Sequence, residues 1–420
     1  MIKAGIKSAT LKDLSGKSSV DIMSIIAELD VFEDLYSSTM SATVTIFDTN
    51  NLINQFPIIG EEILDIEYET ENLNTVFKRF YVYKLSNRIQ QQDHKMIYVL
   101  HMLSYEGIID LNTKISRAFS GYTHDIAKNI FEKYIATDQF YSGKKLMLED
   151  SGTEIKFVSP YWSPIRCINH AATRSTITKS WRSPSFLFFE SSEAFKFTSI
   201  ESLVKQTPII NYFFDSDPMR NPTPQGGSER DVARWLSTVI NLNIEQHFDY
   251  IQKVMTGMIT HQTIEHDIIH KTIRNHRYDY ATDFSKHAHL EDNPMNSNKL
   301  MFSEKTAVVD TRSIFSYGFN ERIKDNSAES VHKRNSLLPQ LEMFKVQMTV
   351  PGRSDVKVGD VVNLKLGKGS SLDAEKITQE ANDLYYSGKY LITGIQHRLT
   401  PSRHEMIVEL IKDSTVKVIE

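Results

Sequence analysis

Two stretches of this chain, Arg79–Leu100 and Lys389–Leu410, read alike when laid over each other at an offset of 310 positions. Five of the 22 positions are identical: Arg88 with Arg398, His94 with His404, Met96 with Met406, Ile97 with Ile407 and Leu100 with Leu410. Phe80 and Tyr390, Val82 and Ile392, Leu85 and Ile395, and Ile89 and Leu399 match conservatively. Each stretch alternates apolar and polar residues on both sides of a polar turn, Gln90–Asp93 or Thr400–Arg403, which is the pattern of an amphipathic β-hairpin. Upstream stand Gly60-Glu61-Glu62-Ile63-Leu64 and Gly359-Asp360-Val361-Val362-Asn363, each with a glycine suited to a tight turn before a strand. One reading is that any two amphipathic hairpins look somewhat alike. The other is a duplicated β domain with further residues inserted, at a spacing far too long for a solenoid repeat. A trimer of such a chain presents six similar β domains around one axis.

The rest of the chain supports a strand-rich reading. Asp21–Val31, Thr39–Asp48, Glu62–Glu69, Val76–Ile89 and Lys95–Tyr105 read as strands, with a short helix over Asn50–Phe56 capped by Asn50 or Asn51. The character then changes. Tyr122–Ile135 carries a helical apolar stripe, and Ser163 with Pro164 begins a second helix. Ser185–Glu190 and Ala194–Thr198 form a hairpin, and Asp215–Gly227 is the clearest loop. Ser228 caps a helix containing Trp235, and Ile259–Ile268 alternates as a strand. Ala288–Lys299 is irregular, and a short helix over Ala328–Leu338 ends near Pro339. Phe344–Val350, Asp360–Leu366, Lys389–His397 and Glu405–Ile411 return to strand.

Composition narrows the function. At 420 residues the chain exceeds a single core, so two to four domains are expected. Forty-eight basic against 53 acidic residues give a net charge of -5, without the basic surplus of a dedicated nucleic-acid binder. The one cysteine, Cys167, rules out an intrachain disulfide and argues against a cysteine-based zinc site. No apolar run is long enough to span a membrane, and the start lacks the apolar core of a signal peptide. Production in a reducing cytoplasm is therefore expected.

His266-Asp267-Ile268-Ile269-His270 has the histidine spacing of a zinc-protease helix, with Asp where the general-base Glu would stand. Its β-branched surroundings favour a strand, where residues four apart lie about 13 Å from each other, too far to share one ion. His261, His276, His287 and His289 offer several third ligands and single out none. Cys167 reads as a small core residue, and His170 near it has no evident triad partner. Gly367-Lys368-Gly369-Ser370-Ser371 lacks the strand–loop–helix frame of a phosphate loop. Trp162, Trp181 and Trp235 read as anchors in cores or subunit contacts. No catalytic, cofactor-binding or metal residue is assigned, and no enzymatic activity is expected.

An ordered set of segments resembles the baseplate hub proteins of T-even-type contractile phages, and more distantly the hub part of type VI secretion spikes. These are Met40–Asp48, Gly60–Ile63, Phe157–Ile168 with Pro160, Trp162 and Pro164, Phe186–Glu190 with Phe195–Ser199, and Ser387–His397. The resemblance implies a β-rich α+β fold, two similar tail-tube-like antiparallel β-barrel domains with inserted α/β segments. The expected division is 1–112 for the first tube-like domain and 113–245 for an inserted α+β domain. Residues 246–285 with 340–420 form the second tube-like domain, and 286–339 an inserted irregular or helical segment. It further implies a homotrimeric ring in the virion tail, adapting the sixfold tube to a threefold spike and letting DNA pass without specific binding. Its partners would be a central spike protein, the tail tube or its initiator, and baseplate wedge proteins, with no membrane insertion and assembly in the host cytoplasm. Two other functions remain open. One is a metal-dependent tail hydrolase using the His266/His270 region, which metal analysis and a His266→Ala assay would reveal. The other is a receptor-binding tail protein, which glycan binding would reveal.

Overall fold

The computed structural model of the chain describes residues 4–49, 51–56, 58–70, 73–90, 95–137, 141–177, 185–214, 229–246, 249–267, 271–295, 305–311, 327–367, 383 and 385–416. The first strand-rich region contains β1 (Ala4–Lys12), β2 (Ser19–Asp21), β3 (Ile26–Asp34), β4 (Ser41–Asp48), β5 (Ile63–Thr70), β6 (Val76–Gln90) and β7 (Met96–Ser104). Period-two alternation drives them: β4 buries Ala42, Val44, Ile46 and Asp48 and leaves the residues between half-exposed. β1 was not expected. A bulge between Ile6 and Ser8 breaks its period, so its core residues are Ile6, Ala9 and Leu11. The short helix Leu52–Gln55 forms, but its cap is Asp48, whose carboxylate accepts the N–H groups of Leu52 (3.0 Å) and Ile53 (3.3 Å). Asn51 sits at φ +58° with no capping side-chain bond, and Asn50 lies outside the described residues.

The next region holds β8 (Ile115–Tyr122), β9 (Lys145–Leu148), β10 (Glu154–Trp162), β11 (Phe186–Glu190) and β12 (Ala194–Ser199). Helices Thr123–Tyr134 and Pro164–Ala172 pack among them, the second capped by Ser163 Oγ on the Arg166 N–H. Phe186, Phe188, Phe195 and Phe197 join Ile126, Ile130, Phe131 and Ile168 in one core. Then follow β13 (Asn211–Phe214), β14 (Asn241–Gln246), β15 (Thr260–Asp267), β16 (Thr272–Asp279), β17 (Asn293–Pro294) and β18 (Lys305–Thr311). The chain closes with β19 (Phe344–Pro351), β20 (Val361–Leu366), β21 (Gly388–Thr400), β22 (Arg403–Lys412) and β23 (Ser414–Thr415). The expected loop 215–227 lies outside the described residues, as does the Ser228 cap.

Among the described residues, thirteen strands join one sheet, in the order β14-β19-β22-β21-β3-β4-β7-β6-β5-β1-β2, with β20 on β21 and β13 on β20. The same unit occurs in it twice. The series β3-β4-β7-β6-β5-β1 and β14-β19-β22-β21-β20-β13 have equivalent spatial order and equivalent chain order. The first four pairings of each series are antiparallel; the fifth is antiparallel for β1–β5 and parallel for β13–β20. Each series has its own apolar cluster.

The likeness extends to irregularities. β6 bulges between Val82 and Lys84, and β21 bulges 310 positions later, between Ile392 and Gly394. The Val82 N–H donates to the Glu62 carbonyl and the Ile392 N–H to the Asp360 carbonyl. Gly60 and Gly359 take φ +94° and +87°, the left-handed region each entry turn requires.

The 310 offset fails on the returning strands. Val82 pairs with Met102 and Ile392 with Leu410, so the counterparts on β7 and β22 stand 308 apart. A second irregularity in β6 between Ser86 and Ile89, around Asn87 at φ +53°, and a longer turn absorb the difference. The matches of Met96, Ile97 and Leu100 with Met406, Ile407 and Leu410 therefore join residues two places apart in the sheets. Arg88 lies in the second irregularity, and Ile89 is the counterpart of Arg398.

Strand pairing also moves the expected domain limits. β13 and all of β14 but Gln246, placed within 113–245, belong to the second β unit through β20 and β19. β15 and β16, placed in that unit as part of 246–285, instead form a separate three-stranded sheet with β18. The late helix spans Ser327–Leu341, so it runs through Pro339 and ends just beyond it. Lys253 Nζ donates to the Pro339 carbonyl (2.9 Å) and Gln340 Nε2 to the Tyr278 hydroxyl (2.8 Å), tertiary bonds that hold the last turn despite the lost backbone donor.

Candidate assembly edges

β21 is thirteen residues long and changes partner along its length. Val361–Leu364 of β20 pairs with Gly388–Leu391, and Leu29–Asp34 of β3 pairs with Gly394–Leu399. The second pairing joins the two units within one chain. Its core side is dry: Leu29, Val31, Ile395, His397 and Leu399 are all buried. Its outer side is tied by Gln396 Nε2 donating to Asp30 Oδ1 (2.9 Å) and by Arg398 beside Glu28 (2.8 Å).

β6 repeats only the first half of this arrangement. Ile63–Tyr68 of β5 pairs with Val76–Tyr81, but the outer edge of Lys84–Gln90 carries no strand among the described residues. Lys84, Asn87, Arg88, Ile89 and Gln90 are exposed there, Ile89 by 57%. The counterpart of β3 in the second unit is β14, whose outer edge is likewise open among the described residues. Ile244 is 39% exposed on it, whereas Val31 in the equivalent place on β3 is fully buried. Open edges present unpaired N–H and C=O groups that another strand can take up.

A buried polar chain runs beside the joined pair. Thr70 Oγ1 donates to the Gly352 carbonyl (3.2 Å) and stands 3.1 Å from His404 Nδ1. His404 Nε2 is 3.0 Å from His397 Nδ1, and His397 Nε2 lies 3.7 Å from Glu33 Oε1, an ion-pair distance too long for a hydrogen bond. Burial, and then His397, hold the His404 imidazole well below its ordinary value, so it is neutral. Burial alone would raise the Glu33 carboxyl; His397, Lys78 and Lys144 outweigh it and bring it down to about 2.

These shifts set a pH dependence. The unfolded chain protonates His404 near pH 6.5 and Glu33 near 4.5, and the folded chain does so only at lower pH. The unfolded state therefore binds more protons in acid, and stability is lost as pH falls, from 6.5 downward for His404 and from 4.5 downward for Glu33. In urea unfolding between pH 7 and 5, His404 should contribute up to about 1.4 kcal/mol per pH unit to the fall in free energy, with a similar share from His170. His404→Gln should reduce the slope by its own share; an unchanged slope would reject the assignment.

The residues singled out by spacing do not converge. His266 lies on β15, and Ile268–His270 lies outside the described residues. His261 is buried on the same strand, and His276 Nε2 is 3.1 Å from Glu265 Oε2. His287 Nδ1 is 3.2 Å from Glu201 Oε1, and His289 Nδ1 is 2.7 Å from Asp413 Oδ2. Among the described residues, no group of three or more His, Cys, Asp or Glu is placed to hold a metal. Cys167 is buried 3.2 Å from Ser159 Oγ, its thiol pushed up by burial. Burial, then Arg174 and Arg166, lower His170 to about 4, where it packs between Phe157 and Trp162. The Arg166 guanidinium covers Trp162 at 4.8 Å. Half-buried Trp235 lines a groove with Thr70, Gly352 and His404. Trp181 and Lys368–Ser371 lie outside the described residues, and the Gly367 N–H donates to the Phe214 carbonyl.

No family model matches the chain. A probable baseplate hub protein of Vibrio phage KVP40 is 20% identical over 433 residues, which cover 94% of this chain and 91% of that protein. The 43 kDa tail protein of prophage MuSo2 from Shewanella oneidensis superposes with a TM-score of 0.58 at 10% identity, covering 97% of this chain and 99% of its own. A tail protein from Neisseria meningitidis MC58 superposes with a TM-score of 0.54 at 12% identity, covering 97% and 96%. The chain shares the strand-rich α+β fold of these tail proteins, and the likeness to hub proteins drawn from its ordered segments is matched along nearly its whole length.

Proposed function

We propose that the chain is a structural, non-enzymatic hub of a contractile-tail phage baseplate, a homotrimeric ring in the virion that adapts the sixfold tail tube to the threefold spike. One observation carries this reading: a single chain holds the same six-strand unit twice, in equivalent order, with one unit already joined to the other edge to edge. Three chains supply the six units that a sixfold tube requires. In this reading β1 to β7 form the first tube-like domain, and β13, β14 and β19 to β22 the second. Residues between β7 and β13, and between β14 and β19, are insertions facing other parts of the baseplate. The partners are the central spike, the tube or its initiator, and wedge proteins. DNA passes without being gripped, in keeping with a net charge of -5 per chain. Among the described residues no helix is long and apolar enough to cross a membrane, and assembly is assigned to the host cytoplasm. The relatives, a hub protein and tail proteins, do not favour the hydrolase or receptor-binding readings.

Light scattering tests it. The expected mass is that of three 48.3 kDa chains, about 145 kDa, with rings visible by negative-stain microscopy. A monomer or dimer across the micromolar range would reject the trimeric hub.

A further inference from the structure

We infer that each ring contact is made by the free half of β6 in one copy pairing antiparallel with β14 of the next copy. Around Ile89 and Gln90 the register copies the β21–β3 pairing inside the chain; further along, β6 and β14 each carry one extra residue. This rests on the trimeric reading above and specifies which residues carry it.

The register follows from strand counterparts. Ile97 on β7 and Glu405 on β22 are equivalent, which makes Ile89 the counterpart of Arg398 and Gln90 that of Leu399. Thr43 on β4 and Gln347 on β19 are equivalent, which makes Asn243 the counterpart of Asp30 and Leu242 that of Leu29. Within the chain Arg398 faces Asp30 and Leu399 faces Leu29. Between chains Ile89 should therefore face Asn243, and Gln90 should face Leu242.

Part of each open edge follows the pattern of a covered pair, although exposed Gln90 stands where Leu399 is buried. Leu85, Leu242 and Ile244 occupy the places of Ile395, Leu29 and Val31, which are buried in the joined pair. Asn241 and Asn243 occupy the places of the outward Glu28 and Asp30. Lys84 and Arg88 are exposed on the β6 edge, a charge guard that limits indiscriminate pairing, whereas Leu242 and Ile244 on β14 form an apolar pair that a partner strand would cover. The two edges lie on opposite sides of the repeated series, so the contact is head-to-tail. Head-to-tail contacts give rings when the rotation closes and filaments when it does not. The chain has already used one such contact internally, between its own two units.

The test is a cysteine pair at two exposed, outward positions, Ile89→Cys with Asn243→Cys, in the full chain; native Cys167 is fully buried. Directly opposed residues of antiparallel strands bring Cβ atoms within about 5.5 Å, close to the reach of a disulfide. Mild oxidation should convert the double variant into a covalent trimer on a non-reducing gel, and each single variant should stay monomeric on that gel. A trimer by light scattering without the cross-link would overturn the inference and leave the hub reading standing. So would a covalent dimer from Ile89→Cys alone, which signals two-fold pairing, or a ladder extending past three. A monomer in solution would overturn the hub reading, and the inference with it.

Discussion

Replacing Gly352 with alanine is expected to destabilise the chain by about 2–6 kcal/mol, among the largest effects of any single methyl group in this fold. A Cβ built there would sit 2.0 Å from His404 Cγ and 2.3 Å from Cδ2, so the ring must move. It has nowhere to go without loss. One ring nitrogen meets Thr70 Oγ1, the other meets His397, and Tyr68 packs edge-on at 5.5 Å. The Gly352 N–H is itself bonded to the His404 carbonyl at 2.9 Å, which fixes the two backbones at this separation. Overpacking costs about 1–3 kcal/mol, and leaving buried polar groups unpaired adds about 1–3 more. Urea unfolding of Gly352→Ala, His404→Ala and the double variant provides the check. Removing the ring makes room for the methyl group, so the double variant should be less destabilised than the two singles summed. Strict additivity would show that the contact does not limit the substitution.

That site was not legible in the sequence, for a physical reason. Glu33, Thr70, Gly352, His397 and His404 come from β3, the end of β5, the residue after β19, β21 and β22, and no local pattern links them. The hairpins were legible because a half-buried strand imposes a period of two, and Ser163-Pro164 because capping is a local matter. β1 was hidden by its bulge, which puts Ile6 and Ala9 three apart. β14 was hidden by its place at an edge: Asn241, Asn243 and Glu245 leave only Leu242 and Ile244 to mark a strand. The duplication was read correctly on the outgoing strands and wrongly on the returning ones. Chance identities such as Met96 with Met406 outscored the true counterparts, which two extra residues in the first hairpin had displaced. The histidine pair at His266 and His270 shows the converse. Spacing alone suggested a metal site, and the strand at Thr260–Asp267 removes the helical frame that spacing needs.

Lys144→Met is the second large effect expected, because it would strand a buried carboxylate. Glu190 ends β11 with its side chain fully buried, ion-paired to the Lys144 amine and accepting the Met40 N–H at 2.8 Å. The pair lies within the Phe-rich insertion and holds Glu190 where it accepts the Met40 N–H, the bond that crosses to the first β unit. Neighbouring bonds run the same way: Lys78 Nζ donates to the Ser192 carbonyl (2.5 Å), and the Ser192 N–H to Glu33 Oε2 (3.1 Å). Burial lowers the Lys144 amine, but Glu190 and its acidic neighbours outweigh that and hold it above its ordinary range. Removing one partner of a buried ion pair typically costs about 3–5 kcal/mol, whereas replacing both with apolar groups of similar size is close to neutral. Lys144→Met should therefore lose about that amount at pH 7.5, and Lys144→Met with Glu190→Met should recover much of it. Burial without a partner favours the protonated form of a carboxyl, so the deficit of the single variant, measured against the parent chain at the same pH, should shrink from pH 7.5 to 5.5. Urea unfolding at the two pH values reads both expectations. A loss below about 1 kcal/mol, the range of exposed pairs, would mean that water reaches Glu190 and that the Lys144 pair is not what keeps it in place.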